Sequence, residues 1–538
     1  MNGPVQGDRL GIVVSGSLTE GIHVKMDAST SVEDMAVGRY VTISGEKKRF
    51  FGMVTDVGLE SSDPRLKYNP PDTSDPLVAE AIRGIGAYGT LKVLPLLAIG
   101  AGVVGLPSGA QPVKTVPAHF SVVSEASPAD VEVVFGKEDQ NQFYVGTPLD
   151  MEAKVCLNLV EFVKRSNGVF GKSGTGKTFL TRLLLVGMLQ KSAAVSLVFD
   201  MHSEYGWEGT SEGGHKVKGL KQLFPSNVAV FALDEENARR RKVNADFVVR
   251  IGYEEVEPED IQILRAALNL TDASVQAVYQ LARKFGRQWL SAVLNLQDGE
   301  EGRHLAEELN IHESTYRNLR RGVETLRRFP FLVPHAPEDS VRQMLSYLER
   351  GVNVVLEFGR YDNLTSYILV ANLLTRRIYA QYRERTERAM SGDAPKPRPL
   401  VITIEEAHRF LNPEVSSNTI FGTIAREMRK YNVTLLVVDQ RPSGIDEEVM
   451  SQLGTKICCL LDNEKDVDSV LSGVSGKGEL RSVLSKLETK QQALIFGHAV
   501  PVPVVLKTRE YGPKFYSELE ESKTHGKPVE DHIEEMWS

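Results

Sequence analysis

Eight consecutive residues, Gly171-Lys172-Ser173-Gly174-Thr175-Gly176-Lys177-Thr178, fit G-x-x-x-x-G-K-[ST] without a mismatch. Their flanks restrict the fold around them. The apolar run 168–170 predicts a strand, and Phe179-Leu-Thr-Arg-Leu-Leu-Leu185 predicts a helix. A strand, a glycine-rich turn and a helix wrap a nucleotide's phosphates in backbone N–H groups. The helix start adds unpaired donors and partial positive charge. In that frame all eight residues touch ATP, Lys177 neutralises the β- and γ-phosphates, and Thr178 holds Mg²⁺.

A phosphate loop of this kind belongs to an α/β domain, and the rest of the chain has the matching pattern. The runs 168–170, 195–199, 228–231, 352–356, 400–404, 433–438, 457–461 and 493–496 are apolar on every residue or nearly so. Strands buried on both faces read this way, so a largely parallel sheet is expected. The RecA-like core is expected in two parts, 151–234 and 351–509. Between them, 235–350 is read as a helical insertion without strands, because Tyr316, Leu319, Val323 and Leu326 recur at helical spacing. Its arginines 317, 320, 321, 327 and 328 read as a solvated face paired with nearby glutamates, with a DNA-facing surface as the second reading. Residues 1–150 hold short β-branched and aromatic runs separated by Gly, Pro, Asp and Ser, the pattern of a small β-barrel for docking or assembly. Residues 510–538 read as a polar tail that either dangles or docks on a neighbour.

Binding nucleotide is only half of hydrolysis. Leu400-Val-Ile-Thr-Ile-Glu-Glu-Ala-His408 places two acids at the end of a buried strand, where open parallel sheets bind ligands. Glu405 takes the magnesium-orienting place and Glu406 that of the base polarising the attacking water. Asp200 ends the strand after the phosphate-loop helix and reads, with His202 and Glu204, as a magnesium neighbour or an orienter of the lysine. Gln440 ends the run 433–438 in Asp439-Gln440-Arg441, where its amide could sense the γ-phosphate. Positive charge at the transition state is worth orders of magnitude in rate. Arg165, Arg426 and Arg429 are its candidates. Lys216, Lys218 and Lys221 read as surface lysines, with a pore contact as the alternative.

Bulk properties exclude less. The net charge of −8 rules out a uniformly basic nucleic-acid binder but leaves a positively lined channel open. Cys156, Cys458 and Cys459 have neither disulfide nor zinc spacing, which suits a reducing cytoplasm. The longest apolar stretch, 93–106, contains Pro95 and three glycines and is too broken to span a bilayer.

Taken in order, Val169-Phe-Gly-Lys-Ser-Gly-Thr-Gly-Lys-Thr178, Phe199-Asp-Met-His-Ser-Glu-Tyr205, Glu405-Glu-Ala-His-Arg-Phe410, Ala425-Arg-Glu-Met-Arg-Lys430 and Gln440-Arg-Pro-Ser443 resemble the HerA family of ring-forming DNA translocases. Val37-Gly-Arg-Tyr-Val-Thr-Ile43, Gly52-Met-Val-Thr-Asp56 and Val131-Glu-Val-Val-Phe-Gly136 extend the resemblance over the barrel. Met428 departs from it, standing where the family often has Gly. The resemblance implies a homohexamer threading double-stranded DNA, with a NurA-like nuclease on the barrel and DNA-end resection as the joint activity. It also implies roles for Lys177, Thr178, Glu406 and Gln440, with Arg165 or Arg429 at the γ-phosphate. HerA-like rings that scaffold an effector in anti-phage defence are the alternative it allows.

Overall fold

Alternation along short strands builds the N-terminal barrel. In Gly21–Met26 the side chains of Ile22, Val24 and Met26 are buried, while His23 points to solvent. The computed structural model describes residues 7–74, 78–79, 82, 86–100, 110–210, 216–296, 300–474 and 476–525. Six antiparallel strands run in the order Gly21–Met26, Arg9–Ser17, Val122–Glu125, Tyr40–Ser44, Lys48–Ser61 and Ala87–Gly100. The last pairs back onto the first, with Ile22 opposite Val93, so no long edge is left open. Leu10, Val13, Val41, Ile43, Phe50, Val54, Leu91 and Val93 fill the interior. Within the run 93–106, residues to Gly100 form strand, and 101–109 lie outside the described residues.

The chain divides into two units. One comprises Met1–Phe162, Val169–Lys177 and Gly454–Glu510; the other comprises Val163–Gly168, Thr178–Leu453 and Tyr511–Ser538. Besides the barrel, the first unit holds Thr455–Cys458, Gln492–Gly497, Val504–Thr508, Gln142–Thr147 and Val155–Asn158, each antiparallel to the next. A largely parallel sheet is expected from the sequence, and these strands depart from it. The loop from Gly497 to Val504 is too short for a parallel crossover, so it closes a hairpin. Apolar runs buried on both faces carry no signal of direction.

The second unit holds a parallel sheet in the order Phe247–Val248, Val228–Ala232, Asn353–Glu357, Val195–Asp200, Leu400–Glu405 and Val433–Asp439. Asp200, Glu357 and Glu405 are the last residues of three adjacent strands. Five helices of six residues or more occupy 258–324, including Asp272–Phe285, which Thr271 caps by accepting from the Ser274 N–H. Tyr316, Leu319 and Val323 form the buried face of Glu313–Glu324, as the spacing predicts. Contrary to the strand-free expectation, Phe247–Val248, Ile251–Gly252 and Leu332–Val333 pair as two-residue strands, too short to register as periodicity. Arg317 pairs with Glu313 (2.9 Å) and Arg327 with Glu324 (3.3 Å), so the solvated-face reading holds for those two.

The expected polar tail is in fact a helix to residue 525. Pro513–His525 packs on its own unit through Tyr511, Phe515, Tyr516 and Leu519, all buried. The Tyr511 hydroxyl donates to the Lys218 carbonyl (3.0 Å), and the Lys218 N–H donates to the Tyr516 hydroxyl (3.2 Å). The aromatic residues lie at helical spacing within a polar composition, which masks them. Trp537 lies outside the described residues.

Candidate active site

The phosphate loop follows the strand Asn167–Phe170 and opens the helix Lys177–Gln190, as the motif predicts. Gly171 is required by space, since a Cβ there would lie 2.7 Å from the Cys459 Cβ and 2.8 Å from the Thr175 Oγ1. Gly176 is required by conformation instead: its φ is +93° and a Cβ would meet nothing. The Thr175 hydroxyl donates to the Lys172 carbonyl (2.8 Å), and Lys177 Nζ donates to the same oxygen (2.8 Å). Lys172 Nζ pairs with Asp462 (2.9 Å), a partner that the motif could not announce. Ser173 and Gly174 are exposed at the tip, and Thr178 is half-buried at the helix start. Cys459 beneath the loop is an inert thiol, because burial pushes its pKa up to about 11.

In the second unit the strand tips bring Glu406 and Gln440 together. Gln440 Nε2 donates to Glu406 Oε1 at 2.7 Å. Glu406 has a φ of +48°, a left-handed conformation costing roughly 1–2 kcal/mol for a residue with a Cβ. That turn separates the two adjacent acids. Glu405 points inward and is 8% exposed, whereas the Glu406 side chain is 29% exposed. Downstream, the His408 N–H donates to Asp439 Oδ2 (2.7 Å), and His408 Nδ1 lies 3.0 Å from the same oxygen. A fully buried Asp439 carboxylate thus orients the imidazole, whose Nδ1 is 3.8 Å from Glu406.

The carboxylates expected near magnesium occupy different surroundings. Asp200 is fully buried and accepts from the backbone N–H groups of Glu204 (2.7 Å), Tyr205 (2.8 Å) and Gly206 (3.1 Å). Burial raises its pKa and those three N–H groups oppose the shift. It therefore organises the turn 200–206. Glu405 Oε1 accepts from the Tyr205 hydroxyl (2.7 Å), and its Oε2 is buried without a hydrogen-bond partner. Burial pushes Glu405 up to about 8, with the charges of Asp200, Glu204 and Glu406 adding to the effect. Glu357 reaches about 7 through burial and the Asp200 charge, against the pull of Arg241 at 2.7 Å. Among the described residues no group of three or more His, Cys, Asp or Glu side chains is placed to hold a metal alone. A magnesium ion here suits the donor chemistry of Thr178 with a nucleotide's own phosphates.

Of the arginines, Arg165 is half-buried in the turn before Asn167, and its carbonyl accepts from Asn167 Nδ2 (2.7 Å). Arg426 is held by its own chain, on Ser416 Oγ (3.1 Å) and Glu448 (3.1 Å). The Arg429 side chain lies outside the described residues. Lys216 and Lys218 pair with Glu208 and Glu520, which accords with surface lysines, whereas Lys221 is largely buried on Asp246 and the Val228 carbonyl. The sequence reading missed Arg182, which is buried, donates to the Glu204 carbonyl, and stacks over the Phe179 ring. It also missed the hydroxyls of Tyr205, in the turn after Asp200, and of Tyr367, in the helix Leu364–Met390; an apolar-flanked tyrosine reads as core unless its OH partner is known.

A phosphate loop of this sequence and local geometry defines a P-loop ATPase, an enzyme that hydrolyses ATP. The Helicase HerA central domain family (DUF87) matches residues 143–378. A probable helicase of Methanocaldococcus jannaschii is 34% identical over 375 residues, covering 66% of this chain and 68% of that one. The chain belongs to the HerA helicase family. The DNA double-strand break repair helicase HerA of Sulfurisphaera tokodaii is 23% identical over 558 residues, 98% of each chain. Among solved structures, VirB4 of Thermoanaerobacter pseudethanolicus is 14% identical with a TM-score of 0.46, covering 71% of this chain and 100% of that one. Among the described residues no helix is long and apolar enough to cross a membrane.

Proposed function

We propose that this chain is an ATP-driven translocase on double-stranded DNA, acting as a homohexamer with the duplex in a central channel. The observation that carries the reading is the 2.7 Å hydrogen bond from Gln440 to Glu406. It supports reading Gln440 as the amide that follows the γ-phosphate and Glu406 as the acid that accepts a proton from water. Lys177 and the loop N–H groups hold the phosphates, and Thr178 with those phosphates holds Mg²⁺. Asp200 and Glu405, both buried at the strand tips, are the acidic neighbours of that ion, Glu405 reaching it through a water. Arg165 or Arg429 supplies the transition-state charge. Relatives that are named DNA double-strand break repair helicases support duplex DNA as the track. A NurA-like nuclease on the barrel, joint DNA-end resection and a cytoplasmic location complete the proposal. Phosphate release is the test. Wild-type turnover rises with added duplex DNA, Glu406→Gln loses about 10²–10⁴-fold in kcat, and Gln440→Ala keeps nucleotide binding but loses the DNA response. Undiminished turnover by Glu406→Gln would remove the basis of the mechanism.

A further inference from the structure

The left-handed turn at Glu406 needs a restraint, and the restraint is visible. The Tyr367 hydroxyl donates to the Glu405 carbonyl (3.1 Å) and accepts from the Glu405 N–H (3.0 Å). That carbonyl belongs to the peptide plane joining Glu405 to Glu406, and the N–Cα bond about which φ of Glu406 turns lies in that plane. A hydroxyl that holds the plane therefore holds the axis from which Glu406 leaves the strand. Tyr367 is itself immobile: it is fully buried, with its ring edge-on to Phe358 (5.1 Å) and Phe410 (5.2 Å). On the side chain of the same residue, Tyr205 holds Glu405 inward through its 2.7 Å hydrogen bond. Both tyrosines act on Glu405, and neither touches Glu406 in the described contacts. Strain of this kind persists where the surroundings over-determine it.

We propose that Tyr367, supported by Tyr205, is a positioning residue for ATP hydrolysis, clamping the Glu405 peptide so that Glu406 presents its carboxylate to Gln440. The inference rests on the reading of Glu406 as the catalytic base. Its test is a double-mutant cycle, with kcat from phosphate release and Kd from a fluorescent ADP analogue. Tyr367→Phe keeps the ring and removes the clamp. It is expected to lower kcat at least about tenfold, which is about 1.4 kcal/mol, with Kd changed less than about twofold. In a Glu406→Gln background, read by single turnover, it lowers the residual rate less than about twofold. An unchanged kcat in Tyr367→Phe, or the same fractional loss in both backgrounds, overturns the positioning role. A Glu406→Gln enzyme without activity beside a normal Tyr367→Phe enzyme sinks this inference alone. Full turnover by Glu406→Gln sinks the catalytic reading and this inference with it. If Tyr367→Phe does not fold, Tyr205→Phe carries the same cycle with the same expected and contrary results.

Discussion

Glu405 and Glu406 are chemically the same residue one position apart, yet the fold gives them opposite surroundings. A φ of +48° turns one carboxylate out to Gln440 and leaves the other buried against Tyr205. The identities of both acids are legible from the motif, and so is the place of Gln440 at the tip of a second buried strand. Their opposite surroundings are not, because a left-handed backbone at a non-glycine residue has no sequence mark. Asp200 illustrates the same limit. An acid at a strand end reads as a metal neighbour, and only the fold reveals three backbone N–H groups already donating to it. Asp200→Ala is accordingly expected to cost about 3 kcal/mol in urea unfolding, with the turn 200–206 losing amide-exchange protection first. A stability change under about 0.5 kcal/mol would contradict that structural role.

At the scale of elements, the eight buried strands could be read from apolar runs, but the direction of the late ones could not. Thr455–Cys458 also carries a residue at odds with its surroundings. Lys456 is 4% exposed and donates to the Val470 carbonyl (2.9 Å). Burial pulls it from its ordinary value of 10.5 down to about 8. Between about 8 and 10.5 the unfolded chain binds a proton that the folded chain does not, so stability rises with pH across that window. Below about 8 both states are protonated and the full desolvation penalty applies. Lys456→Met should therefore stabilise the protein by about 2 kcal/mol at pH 7, and the gain should shrink as pH approaches 10.5. Urea titrations at pH 7 and pH 10 check both the sign and the trend. The helix Pro513–His525 is a different lesson: Tyr511, Phe515, Tyr516 and Leu519 are too few among charged residues to raise mean hydropathy, yet they suffice to dock the element.

For the whole molecule, the closed barrel leaves its own mark. Phe120 has a φ of +63° and is 69% exposed, an unusual state for a large aromatic residue. On a barrel proposed to dock a nuclease, such a side chain is a natural anchor. Phe120→Asp is expected to leave ATP turnover within about twofold while weakening capture of a NurA-like nuclease at least about tenfold, measured by titration of the purified pair. The central claim is that hydrolysis at Glu406 moves the protein along duplex DNA. Displacement of a triplex-forming oligonucleotide from a duplex tests that claim directly. Wild-type protein should strip the third strand with ATP, fail with a non-hydrolysable analogue, and fail again as Glu406→Gln. Equal displacement with the analogue, or by the Glu406→Gln protein, would contradict the account.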